Sequence, residues 1–401
     1  MRRLLHSVLV LAAMALASAP ASAQKKYAPG IGDTEIKIGQ TMPYSGPASA
    51  YSAIGKAEAA YIAMINEQGG VNGRKINLLS LDDGYSPPKT FEQTRRLVEQ
   101  DNVAFIFSSL GTPTGVVVHK YLNEKKVPQL FQASGATLWG DPRHFPWSMG
   151  WQPNYQTEGA IYGHYLLKMK PHAKVAVLYQ NDDAGRDYVA GFKAGLGPDA
   201  AKRMIVAEAT YEVTDPTLDS QIVTLQGSGA DVLFDNTTPK FAAQAIRKIY
   251  DIGWKPMHFL MSVATSVSAV MEPAGVEKGQ GIITAAYLKD PNDPQWQDDQ
   301  AYKDWLAFMR KYYTDGNLGD SFNVYGYLVA QTLVQVLKQC GDDLSRENIM
   351  RQAANLDLEL PMLLPGIKIH TAPGDFYPIK QMRLARFDGK QWVLFGEVIG
   401  E

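Results

Sequence analysis

Two turns in this chain are made of residues suited to holding a small anion. The first, Ser108-Ser109-Leu110-Gly111-Thr112-Pro113-Thr114-Gly115, follows the apolar run Val103 to Phe107; the second, Gln132-Ala133-Ser134-Gly135-Ala136-Thr137, follows Val127 to Phe131. Gly111 and Gly135 allow close approach to the main chain, while Thr112, Ser134 and Thr137 supply hydroxyls. Together the turns can grip a carboxylate through neutral hydrogen bonds. Taken singly, each is an ordinary strand-to-helix loop with a capping residue.

Signatures of reaction chemistry are mostly absent. The sequence holds no Gly-x-Ser-x-Gly elbow, no phosphate-binding loop ending in Gly-Lys-Ser/Thr, no His-Glu-x-x-His, and no Gly-x-Gly-x-x-Gly after its first strand. His119, His144, His164, His172, His258 and His370 are scattered without metal-ligand spacing, so neither metal nor cofactor is expected. Asp82-Asp83 and Asp182-Asp183 are carboxylate pairs at strand ends, read as loop and helix-start polarity more readily than as an acid and base.

The elements that position these turns begin after a leader. Arg2-Arg3, the apolar run Leu4 to Leu16 and Ala21-Ser22-Ala23 have the three parts of a secretory signal, with cleavage expected after Ala23. The apolar part is shorter than the roughly 20 residues of a spanning helix. No other segment reads as membrane-spanning, so a soluble periplasmic protein is expected. Cys340 is the lone cysteine and lies far from the leader, which excludes both a lipid-bearing first residue and an intrachain disulfide. Loss of Arg2 and Arg3 leaves 37 Lys and Arg against 41 Asp and Glu, a charge of −4 too mild to suggest nucleic acid or anionic membrane as partner.

Alternating strand and helix patterns give the fold class: α/β, with two doubly wound Rossmann-like lobes joined by a hinge. Strands are predicted at residues 34–39, 76–81, 103–107 and 127–131, with helices at 52–68, 88–100 and 114–125 between them. A second series runs from a helix at 155–169 through strands at 174–179, 204–211, 232–235, 258–261 and 281–286. Long helices are predicted at 294–313, 323–339 and 345–355, then strands at 367–370, 381–387 and 392–398 with an Asp388-Gly389 hairpin turn. The expected organisation is a signal at 1–23, an N-terminal lobe of 34–152 plus 287–356, and a C-terminal lobe of 153–286 plus 357–401.

The Ile36-Lys37-Ile38-Gly39 strand with Pro43-Tyr44-Ser45-Gly46, the Glu67-Gln68-Gly69-Gly70-Val71-Asn72-Gly73-Arg74 turn and Ser134-Gly135-Ala136-Thr137 resemble the leucine/isoleucine/valine-binding family. These are type I periplasmic substrate-binding proteins of ABC transporters. The resemblance covers nearly the whole chain after the leader. It implies a ligand held between lobes that close by hinge bending, its carboxylate bound by Leu110, Gly111 and Thr112 and by Ser134, Gly135 and Thr137. Tyr44 and Tyr51 would wall the cleft. An inner-membrane permease is the implied partner, and a monomer is expected.

The second lobe departs from the amino-acid-binding pattern. Ala184 stands near the position of an expected aromatic, Asn236-Thr237-Thr238-Pro239 replaces an expected tyrosine, and Ser262-Val263-Ala264-Thr265-Ser266 lacks the acid that receives an α-ammonium. A buried ammonium without a counter-charge is costly, so the expected ligand is a small, aromatic or otherwise non-amino, organic acid. Phe131, Trp139, Trp151 and Tyr155 are candidate ring contacts, and Thr237 and Ser262 join the candidate site. Asp182 or Asp183 could instead receive an ammonium, which keeps branched-chain or other amino acids as an alternative. A periplasmic sensor subunit and an exported hydrolase using Ser108 or Ser134 are rival classes.

Overall fold

The structure, a computed structural model, describes residues 25–400; the signal at 1–23 lies outside the described residues. The first sheet opens with β1, Glu35–Met42, whose Ile36, Ile38 and Met42 are fully buried. Helix α1, Ser52–Glu67, buries Ile54, Ala57, Tyr61 and Ile65 at helical spacing. It leads to β2, Lys75–Asp82, then α2, Pro87–Glu99, β3, Ile106–Phe107, α3, Thr112–Glu124, β4, Gln129–Gln132, and β5, Ser148–Gly150. All pair in parallel in the order β2-β1-β3-β4-β5. The strand predicted over 103–107 narrows to β3, although Ala104 N still donates to Lys37 O at 2.8 Å. β5 was not legible as a strand because three residues show no period.

The second series is α4, Tyr155–Met169, β6, Val175–Gln180, α5, Asp183–Leu196, α6, Pro198–Met204, β7, Ile205–Tyr211, α7, Asp219–Gly227, β8, Val232–Asn236, α8, Pro239–Asp251, β9, Met257–Leu260, and β10, Ile283–Ala286. Next come α9, Gln300–Tyr312, α10, Ser321–Cys340, and α11, Arg346–Ala353, before β11, Gln381–Phe387, and β12, Trp392–Gly400. The second sheet has seven strands in the order β12-β11-β10-β9-β8-β6-β7, parallel except where β11 and β12 add antiparallel edges.

Two corrections concern the tail. The single helix predicted over 294–313 is a short turn at Pro294–Trp296 followed by α9, whose start is fixed by Asp299 accepting from Tyr302 N at 3.0 Å. The segment near 367–370 keeps only Ile369–His370 as strand, paired with Asp357–Leu358. Helix α10 lies so close to α1 that a Cβ on Gly326 would stand 2.5 Å from Ile54 O. Cys340 ends α10, buried, and burial pushes its thiol up to about 12.

The chain passes between the sheets near Trp151–Asn154, Tyr287–Lys289 and Met362–Leu364. The last two segments pair, with Lys289 N donating to Met362 O and Leu364 N to Tyr287 O, both at 2.9 Å.

Candidate functional site

Each sheet has a switch point, where successive strands leave in opposite directions: β1/β3 in the first and β6/β8 in the second. Ligands of open α/β sheets bind beyond the carboxyl ends of strands at such points. Here both open on one cavity, with Leu110, Gly111 and Thr112 on one side and Gln180, Asn236 and Thr237 on the other.

On the first-sheet side, Leu110 and Ala133 form a parallel bridge that carries the ladder past β3 and β4. Thr112 and Ser134 share a hydrogen bond between their hydroxyls at 2.7 Å. The amides of Thr112 and Thr114, at the start of α3, have no acceptor among the described residues. Gly111 has φ +103°, and a Cβ there would meet Tyr85 Cε2 at 2.5 Å. Only glycine lets that ring lie against the turn. Tyr85 is itself buried at φ +61°, a conformation costing on the order of 1–3 kcal/mol. Asp83 holds it, accepting from Tyr85 N at 2.9 Å and from Thr90 Oγ1 at 2.8 Å.

Tyrosines dominate the walls: Tyr51, Tyr85, Tyr155, Tyr188 and Tyr211. Tyr155 and Tyr188 stack with ring centroids 4.2 Å apart. Gly159 and Gly191 permit this, because a Cβ on either would stand 2.4 Å or less from main chain of the facing helix. Tyr211 donates to Gln180 Oε1 at 3.2 Å and accepts from Thr238 N at 2.9 Å. Tyr155 accepts from Gln152 Nε2 at 3.1 Å, which leaves its own proton available. Burial pushes the Tyr155 hydroxyl up to about 12, so at neutral pH it is a donor.

One carboxylate approaches this region from an unexpected element. Glu158 on α4 is buried beside Ser262, and burial raises its pKa. Its Oε1 accepts from Ser262 N at 2.7 Å and Tyr162 Oη at 2.8 Å; its Oε2 accepts from Ser262 Oγ at 2.7 Å and Tyr188 Oη at 3.0 Å. It lines no part of the cavity. The sequence reading missed Glu158 because it is supplied by a helix that follows the crossover and not by the loop after β9.

Of the residues singled out in the sequence, the structure brings Tyr51, Leu110, Gly111, Thr112, Tyr155 and Thr237 together in the cavity. Ser134 stands behind Thr112. Ser262 lines a neighbouring chamber, with its amide and hydroxyl turned to Glu158.

The rest lie elsewhere, for identifiable reasons. Tyr44 bonds Ser80 Oγ at 2.6 Å and packs on α1 at Gly55. Gly135 serves the crossover, since a Cβ would stand 2.2 Å from Pro153 O. Thr137 donates its amide to Asp187 at 2.6 Å, and its hydroxyl accepts from Asn154 at 3.2 Å. Trp151 is buried in the hinge, its indole donating to Thr332 Oγ1 at 2.9 Å. Phe131 and Trp139 are core residues. Asp182 caps α5 by accepting from Gly185 N at 3.0 Å, and burial raises it to about 6; Asp183 is exposed and paired with Arg186 at 2.7 Å.

Tyr85, Gln152, Gln180, Tyr188 and Tyr211 also line the cavity without having been singled out, together with Ala184, Asn236, Thr238 and Val263, which the sequence marked only as departures from the amino-acid-binding pattern. The available signal was position: Gln180, Tyr211 and Asn236 are the last residues of β6, β7 and β8. Among the described residues no group of His, Cys, Asp and Glu is arranged to hold a metal, and no helix is long and apolar enough to cross a membrane.

A family model described as periplasmic binding protein matches residues 35–391. This chain belongs to the periplasmic binding protein family. Members bind solutes and catalyse no reaction on them, in keeping with a cavity built from hydrogen-bond donors and rings. The Leu/Ile/Val-binding protein homolog 1 of Brucella suis is 23% identical over 324 residues, covering 77% of this chain and 80% of that one. A branched-chain amino acid ABC transporter protein from Thermus thermophilus, solved with valine, superposes with TM-score 0.81 at 17% identity, covering 92% of this chain and 98% of the other. A solute-binding protein from R. palustris, solved with benzoate, gives TM-score 0.76 at 21% identity, covering 92% and 98%. This periplasmic binding protein therefore shares the type I fold with proteins of different ligands.

Proposed function

We propose that this periplasmic binding protein delivers a small carboxylate without an α-ammonium group to the permease of an ABC transporter. One observation carries the reading: the cavity wall carries the unpaired amide of Thr112 at the start of α3, beside the Thr112–Ser134 hydroxyl pair, while Glu158 of the second lobe is fully occupied by four donors. A carboxylate meets oriented N–H groups and the positive end of a helix there. An α-ammonium finds no free carboxylate oxygen along the cavity wall. The tyrosine walls suit a flat or apolar body, and the R. palustris relative solved with benzoate lends support. Export through the leader, with cleavage after Ala23, action as a monomer and the carboxylate-binding roles of Leu110, Gly111 and Thr112 belong to this proposal.

Calorimetric titration of the mature chain with benzoate and 4-hydroxybenzoate, set beside leucine and valine, tests it. The acids are expected to bind and the amino acids to give no heat. Leucine binding more tightly than every acid overturns the reading.

A further inference from the structure

A second chamber adjoins the cavity at the hinge, and Ile54, Gln152 and Val263 line both. Its walls are largely apolar, with Tyr287, Leu288 and Leu364 from the crossovers, Trp296 from the turn at Pro294–Trp296 and Phe322 from α10. Its polar features are not those of a packed hinge. Asp290 lines it, with Oδ1 accepting from Asn292 N at 2.7 Å and Asn292 Nδ2 at 2.9 Å, while Oδ2 has no partner among the described residues. Tyr325 also lines it; the residue is 4% exposed and its hydroxyl has no partner. A buried hydroxyl such as that of Tyr325 is costly to leave without a partner. No Lys, Arg or His lines the chamber to neutralise Asp290. Lys289 is engaged by Asp299 at 3.0 Å.

We propose that the ligand is an elongated acid: its carboxylate sits at the α3 end of the tyrosine cavity, its apolar stem passes Ile54, Gln152 and Val263, and a hydroxyl or amine at its far end reaches Asp290 in the hinge chamber. The inference rests on the carboxylate reading above and adds length and a terminal donor to it. A single ring or a branched-chain amino acid fills one compartment and leaves the apolar chamber without a partner. A ligand that fills both also ties the crossovers to the closed form, since Tyr287, Leu288 and Leu364 are themselves hinge residues. Burial raises Asp290 to about 6, so a donor reaching it meets a group that ionises readily once paired.

The test uses calorimetry on the mature chain with butanoate, octanoate, 8-hydroxyoctanoate and 8-aminooctanoate, with leucine as comparison. Each added methylene that enters apolar surroundings is worth about a threefold to fourfold gain. Octanoate is expected to bind at least about tenfold more tightly than butanoate, and the ω-substituted acids more tightly still. Leu288→Trp is expected to weaken octanoate far more than butanoate. Asp290→Asn, nearly isosteric, is expected to remove the advantage of 8-aminooctanoate over octanoate. Circular dichroism of both variants checks that they fold, and the wild-type series decides the matter where one does not.

Butanoate and octanoate binding equally overturns the chamber proposal and leaves the carboxylate reading standing. Leucine binding in preference to every acid overturns the carboxylate reading, and the chamber proposal with it, as does the absence of binding by any acid.

Discussion

Tyr51, just before α1, donates its hydroxyl to the main-chain oxygen of Val263, just after β9, at 2.9 Å. This bond joins the two sheets' loops directly over the cavity, and the Tyr51 ring is anchored against Phe322 with centroids 5.0 Å apart. It belongs to the closed arrangement, so its energy adds to closure and through closure to ligand affinity.

Tyr51→Phe keeps the ring and removes the bond. A net hydrogen bond is worth about 0.5–1.5 kcal/mol, so ligand affinity is expected to fall roughly twofold to tenfold with little change in thermal stability. Titration calorimetry beside a melting curve checks it. Unchanged affinity would mean that the bond contributes nothing to closure.

Gly111→Ala tests the turn that holds Tyr85. The residue sits at φ +103°, and the new methyl would stand 2.5 Å from the ring. Conformational strain alone is on the order of 1–3 kcal/mol. The variant is expected to melt lower and to bind the acid ligand more weakly, because relief requires Tyr85 to leave the cavity wall. Wild-type affinity in the alanine variant would sink the assignment.

The two α/β lobes were legible because buried parallel strands leave near-continuous apolar runs, such as Val175 to Leu178, between amphipathic helices. The Gly111-Thr112 turn was legible for the same reason: its place at a strand end is local. The tyrosine wall was not. Tyr85, Tyr188 and Tyr211 come from three separate elements, and Tyr188 sits within α5, where an inward aromatic reads as packing. Gly135 shows the converse error. It was read as room for a ligand, whereas the group it makes room for is Pro153 of the crossover. Close approach is written in a sequence as glycine, but the identity of the approaching group is tertiary.

Glu58 supplies a pH prediction. It is fully buried on α1 with Oε1 unpartnered, and burial raises its pKa from 4.5 to about 8. A raised folded pKa means stability that is fully present below about 4.5 and is lost as pH rises through about 8. Glu58→Gln removes this dependence. The stability of wild type minus variant is expected to decline between those pH values, by an amount on the order of a few kcal/mol, and then to level off. Denaturant melts of both proteins at pH 4.5, 6.5 and 8.5 measure the difference, in which the contributions of other carboxyls cancel. A difference independent of pH would show that Glu58 is ionised throughout.

The stack of Tyr155 on Tyr188 depends on how closely α4 and α5 approach. A Cβ on Gly159 would stand 2.4 Å from Tyr188 O and 2.7 Å from Phe192 N, both main-chain atoms that cannot rotate away. Gly159→Ala must therefore push the helices apart, moving Tyr188 from Tyr155 and from Glu158 together. Gly227, at the end of α7, has nothing within 4 Å of the same position, so Gly227→Ala meets only the intrinsic preference of helices for alanine. The first substitution is expected to destabilise by about 1–3 kcal/mol and to weaken ligand binding; the second is expected to stabilise by up to about 1 kcal/mol and leave binding alone. Chemical denaturation and calorimetry on the pair separate steric contact from propensity. If Gly159→Ala also stabilises, the helices can part without cost, and the stacked tyrosines are not set by their spacing.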